Sequence, residues 1–196
     1  MEAERRVTTS SLGSCRYELD DHLRIVAVDD EWSAFARAND APELLPPHPI
    51  GREVLSYIAD RTTAALYEAL FATVRRTRVP ISIAMRCDSP TTRRFLDLCV
   101  EVGPRAGLRL RSRLLRSETR PAVPLLDSRR PRDGRLLRSC SFCKRVEAHE
   151  RWCEVEEAVE ILRLFDSHSL PALTHGVCPD CYRRVAALID RRPVSA

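Results

Sequence analysis

Cys140-Ser141-Phe142-Cys143 and Cys178-Pro179-Asp180-Cys181 form two Cys-x-x-Cys pairs. Two intervening residues let both sulfurs of a pair turn toward one point. Two such pairs supply four thiolates at the corners of a tetrahedron, a geometry that Zn(II) accepts without redox consequence. One pair alone says little; two pairs bracketing an amphipathic segment are specific. The 34 residues between Cys143 and Cys178 exceed the about 15–20 of a short zinc finger, but a helix and loops can occupy them. The expectation is therefore one Zn(II) per chain, held by Cys140, Cys143, Cys178 and Cys181. Arg138, Lys144, Arg145, Arg183 and Arg184 flank the pairs and would offset the residual negative charge of four thiolates. His175, three residues before Cys178, is expected to hydrogen-bond a ligand sulfur or the backbone. It is not expected to replace a thiolate, because four cysteines already close a structural site. Cys153, beside Trp152, reads as buried packing or, alternatively, as a fifth redox-active thiol. Cys15, Cys87 and Cys99 fall on or near strands and read as inert small hydrophobes.

The elements that must position these residues follow from composition and periodicity. The chain has 196 residues, 44% hydrophobic and 31% charged, enough for one domain with an appendage or two small domains. Wholesale disorder is excluded. No apolar run approaches the about 18 residues of a membrane span. The N-terminal MEAERRVTTSSLGS lacks the apolar core of a secretory signal, so a cytoplasmic location is expected. There, eight cysteines favour metal or redox chemistry over disulfides. The net charge is +4, concentrated in residues 105–138, which carry eleven arginines against Glu118, Asp127 and Asp133.

Residues 1–14 read as a flexible start. Strands are expected over 16–20, 23–28, 79–85, 93–102 and 108–114, the last two with strict apolar–polar alternation. Asp29 or Asp30 is placed to cap a helix holding Trp32 and Phe35. Leu66, Leu70 and Val74 form the stripe of a long helix over 61–77. Five strands with helices inserted after the second give an α+β pattern. Residues 119–138, with Pro121, Pro124, Pro131 and Gly134 among arginines, read as a linker. Residues 139–192 form a small, helical metal module, with helices expected over 154–165 and from Pro179 or Asp180 to about 191. Residues 193–196 are a tail.

The segments RIVAVDDEWSAFARAND, IGREVLSYIAD and LYEALFATVRRTRVPISIAMRCDSPTTRRFLDLCVEV resemble a bacterial PAS-type sensor domain over residues 15–118. The resemblance implies a five-stranded antiparallel sheet, a pocket between the long helix and the sheet, signalling through protein partners, and homodimerisation. It does not fix the ligand. The chain lacks the Asn-Cys-Arg-Phe-Leu run of flavin-binding relatives. It also has no histidine between Gly51 and Glu118 to ligate haem, His48 being a weak substitute, so neither cofactor is expected. The interior is expected to be filled by its own Leu, Ile and Phe side chains. The tail, with Cys140, Cys143, Trp152, His175, Gly176, Cys178, Pro179 and Cys181, resembles the metal-binding segment appended to some bacterial PAS and response-regulator proteins.

Arg86, Arg93 and Arg94 around Asp88-Ser89-Pro90 read as a solvated strand end, or as a clamp for an anion. The leading functional expectation is a non-catalytic sensory module acting through a signalling partner. A thiol–zinc redox switch is the alternative. Nucleic-acid binding through the arginine-rich segment is not favoured, because stacking aromatics are missing. An enzyme is not expected: no Ser/His/Asp grouping or His-Glu-x-x-His is present.

Overall fold

Alternation along the chain builds the first sheet. A computed structural model describes residues 13–39, 41–164 and 169–190. The start at 1–12, Phe165, and the tail beyond 190 lie outside the described residues. Strands β1 (Ser14–Leu19), β2 (Ile25–Val28), β3 (Ile81–Arg86), β4 (Thr92–Val102) and β5 (Leu108–Thr119) form an antiparallel sheet in the order β2-β1-β5-β4-β3. Helices α1 (Asp30–Ala38) and α2 (Arg61–Thr77) lie between β2 and β3 in the chain. The Asp29 carboxylate accepts from the Trp32 amide at 2.8 Å and starts α1. Asp60 does the same for Thr63 at 2.7 Å and starts α2. Leu108, Leu110 and Val100 are fully buried on one sheet face, against Leu70 and Val74 of α2. On the other face Arg109 pairs with Glu18 at 2.9 Å and Glu101 at 3.4 Å. Gly107 is required at the β4–β5 turn, since a Cβ there would lie 2.0 Å from the Leu19 carbonyl oxygen of β1.

The segment read as a linker is folded. After β5, Pro124–Leu126 makes a single 3₁₀ turn, and β6 (Arg132–Cys140) opens a second sheet. The physical reason lies in one of the arginines of that segment, Arg132. Arg132 donates to the carbonyls of Leu125 at 3.2 Å, Asp127 at 2.7 Å and Pro171 at 2.9 Å, tying the loop that follows β5 to β9. Val123 and Leu125 are thereby buried.

The cysteine-bearing part is likewise not simply helical. Strands β7 (Val146–Ala148), β8 (Arg151–Cys153) and β9 (Leu170–Gly176) join β6 in the order β8-β7-β6-β9, with helices α3 (Val155–Ile161) and α4 (Pro179–Ile189). The helix expected over 154–165 stops at Ile161. Arg163 turns left-handed at φ 51°, and the Leu164 amide returns to the Val159 carbonyl at 2.9 Å.

Two apolar clusters result. One joins the first sheet and α2 to Cys140, Phe142, Cys178, Cys181 and Val185. The other gathers Val123, Leu125, Val146, Val155, Val159 and Leu170 under the second sheet. Two half-open cavities of about 500 Å³ and 360 Å³ lie along the first sheet.

Candidate metal centre

Parallel pairing brings the two cysteine pairs together. β6 and β9 run side by side, with Cys140 opposite Gly176, so their C-terminal ends meet at one end of the sheet. Cys140–Cys143 turns out of β6 toward β7. Lys144 takes a left-handed conformation, φ 60°, and its amide closes on the Cys140 carbonyl at 3.0 Å. Cys178–Cys181 opens α4. Cys178 is the N-cap: its sulfur accepts from the Cys181 amide at 3.4 Å, and Pro179 fills the first helical position.

The four sulfurs of Cys140, Cys143, Cys178 and Cys181 lie within 4.8 Å of one another. Cys143 and Cys178 are 3.7 Å apart, Sγ to Sγ. A disulfide would require about 2.05 Å. A tetrahedral ion with metal–sulfur bonds of about 2.3 Å has sulfur–sulfur edges of about 3.8 Å. The donor set therefore fits one tetrahedral metal ion. Cys140, Cys178 and Cys181 are buried and Cys143 is half-buried.

Ionisation within the cluster points the same way. Hydrogen bonds from Cys143 and Cys181 hold the Cys140 thiol far below the usual range. Cys143, which donates to Cys140, is pushed up to about 12, and Cys181 is pushed up further by Cys140 and Cys143. One thiolate in so small a space suppresses the others, and only a bound cation lets several ionise together. The surroundings favour sulfur anions: the Cys178 amide donates to Cys140 Sγ at 3.4 Å and Arg184 to Cys181 Sγ at 3.3 Å.

Of the five flanking cations, Arg184 alone reaches a sulfur. Arg138 pairs with Glu147 at 2.9 Å and lies over Trp152. Lys144 donates to the Ser141 carbonyl at 3.2 Å, Arg145 faces Glu154 at 3.7 Å and Asp180 at 3.5 Å, and Arg183 faces Asp180 at 2.6 Å. His175 lies on β9 near the cluster. Among the described residues its ring makes no hydrogen bond to any of the four sulfurs, and burial followed by the nearby Lys144 lowers its pKa. Cys153 packs in the second cluster, its thiol 3.7 Å from the Val146 carbonyl. Cys15 and Cys87 line the larger cavity.

The contacts that sequence reading did not reach are those that seat the first pair on the first sheet. Phe142, between the cysteines, is fully buried and stacks on Tyr67 of α2 at 5.8 Å between ring centroids. Its carbonyl accepts from the Arg86 amide of β3 at 2.7 Å. The Ser141 and Thr63 hydroxyls are 3.1 Å apart. Arg86 is not a solvated strand end, as read from the sequence, but a buried bridge. Its guanidinium contacts Asp88 and reaches Glu154 at 2.7 Å. Arg93 joins Glu154 at 3.3 Å and Glu156 at 3.0 Å, while Arg120 joins Asp88 at 3.3 Å and Glu156 at 3.1 Å. The chain's own carboxylates thus occupy Arg86 and Arg93, whereas Arg94 has no carboxylate partner among the described residues and lines the larger cavity. Nothing local marks these partners, since Arg86 and Glu154 are 68 residues apart. Comparison with protein-family models gives no match, and comparison with curated proteins gives none either.

Proposed function

We propose that the chain is a non-catalytic sensory module of the PAS type, whose four cysteines hold one structural Zn(II) and whose output passes through a protein partner. The observation that carries the metal part is the sulfur cluster: four thiols within 4.8 Å, seated in the apolar cluster of the first sheet. Four thiolates fill every position around a tetrahedral ion and leave none for a substrate, which favours a structural role. The sensor part is supported by the strand order β2-β1-β5-β4-β3, by both helices lying between β2 and β3, and by a cavity against α2. A homodimer through the first sheet and its helices belongs to the same reading.

Nucleic-acid binding draws little support. Arg109, Arg116 and Arg120 in the basic stretch are already paired with carboxylates of the chain. The redox alternative rests on one observation. Cys143 is the half-buried member of the cluster and lines a surface groove with Arg145 and Arg184. Oxidation there would release the metal.

Elemental analysis by mass spectrometry of the reduced, purified chain tests the proposal. One zinc and no iron per chain is expected. Absence of zinc overturns the metal assignment, and stoichiometric iron overturns its identity.

A further inference from the structure

The 360 Å³ cavity lies between α2 and the first two strands, and one of its walls belongs to the second sheet. It takes in three of the chain's four tyrosines and one of its two tryptophans. Tyr17, Trp32, Tyr67 and Phe71 form the aromatic wall, and Ser141 and His175 close the side toward the cysteines. No Asp, Glu, Lys or Arg lines it, so nothing there would neutralise a charged guest. Among the described residues the hydroxyls of Tyr17 and Tyr67 have no hydrogen-bond partner. Burial raises the pKa of both phenols, that of Tyr67 to about 12, so both remain neutral donors. Both residues are half-buried, and their unpaired hydroxyls are free to donate to a guest with an acceptor atom.

The Ser141 hydroxyl has a defined direction. Thr63 gives its proton to Asp60 at 2.7 Å and therefore accepts from Ser141 at 3.1 Å. The Ser141 oxygen therefore offers the cavity only lone pairs, which leaves donation to a guest to the tyrosines; Tyr67 also stacks on Phe142, between the first two cysteines.

We infer that this cavity binds a small neutral aromatic molecule carrying a carbonyl or hydroxyl acceptor, and that its occupancy is linked to metal retention through Tyr67, whose ring stacks on Phe142 between the first two cysteines. The inference rests on the sensor reading and names the class of ligand that reading lacks. Linkage is reciprocal: a guest that steadies the first cysteine pair slows metal loss, and bound metal tightens the guest by the same factor.

The test uses the full chain with its metal and three probes of similar size: acetophenone, ethylbenzene without the acceptor, and benzoate with a charge. Ligand-observed NMR reads binding, and transfer of metal to a chromogenic chelator reads release. Acetophenone is expected to bind saturably and at least tenfold more tightly than either other probe. Tyr67→Phe, which keeps the ring stacked on Phe142, should bring acetophenone to within threefold of ethylbenzene. Saturating acetophenone should slow metal release at least threefold, and Tyr67→Phe should abolish that slowing even at a concentration that saturates the variant. Absence of saturable binding overturns the site. Equal affinity for ethylbenzene or benzoate overturns the ligand class, and an unchanged release rate overturns the linkage. Metal content measured on the same samples separates the two readings: full metal with no binding overturns the ligand inference alone, whereas a chain purified without metal that still binds acetophenone keeps the site and overturns the zinc assignment, and with it the linkage to metal.

Discussion

In the first sheet β4 pairs with β5 along its whole length, from Thr92 opposite Thr119 to Val102 opposite Leu108. In the second, β7 meets β8 only from Val146 to Ala148. The first is closed by a 17-residue helix; the second carries the seven-residue α3. The first sheet has ladder and core enough to stand by side-chain burial. The second joins two three-residue strands to β6 and β9 over a smaller apolar cluster, and four of its cysteines converge at one end. Yet the cysteines pack with the core of the first sheet rather than that of the second. The four-cysteine cluster is therefore the joint between the two sheets.

Cys178→Ser gives the largest expected effect, because metal binding contributes about 10–16 kcal/mol to isolated zinc modules. Metal content should fall to zero, and hydrogen exchange should show β7, β8 and β9 losing protection while β4 and β5 keep theirs. Equal loss in both sheets would break the distinction and make the molecule one cooperative unit. Phe142→Ala should cost about 3–5 kcal/mol, as for other buried aromatics, with the metal still bound. A denaturant midpoint unchanged from the parent would show that the first pair is not seated on α2. Arg86→Met should cost about 3 kcal/mol, since it leaves Asp88 and Glu154 short of a partner in a buried network. Its signature is separation of the two unfolding transitions, read by calorimetry; a single unshifted transition counts against the bridge.

The smallest effect is acid sensitivity. Burial pushes the Glu156 carboxyl up, but its helix-terminal amide, Arg120 and Arg93 outweigh that and hold it below the ordinary 4.5. A carboxyl depressed by folding adds stability above its unfolded value and loses it as the pH falls through the folded one. Glu156→Gln should therefore be less stable than the parent near neutral pH, with the difference vanishing in acid. A difference that persists unchanged in acid would assign the effect to packing.

The same contrast explains what the sequence discloses. The two Cys-x-x-Cys pairs are local patterns, and the structure brings all four named cysteines together. The 61–77 stripe and the alternation through Leu96–Val102 and Leu108–Leu114 are also local, and the first sheet follows them. β7 and β8 have three residues each, too few for a period to register. β6 is hidden because its composition is that of a linker, and its partner β9 stands more than thirty positions away. The pairing of Arg86 with Glu154 and the meeting of Ser141 with Thr63 arise only once both sheets exist.

The parallel pairing of β6 with β9 also orders events in time. Every strand of the first sheet precedes Arg120, so a growing chain can complete that sheet and α2 before Cys178 is made. The groove that receives Phe142 is then already formed, and Cys140 and Cys143 are fixed upon it while their partners are still to come. A nascent chain at that stage holds a two-sulfur site, able to pick up a thiophilic ion loosely. Arrival of β9 turns loose capture into enclosure. The slow, long-range loop closure is thereby deferred to the final step, where a finished surface serves as its template.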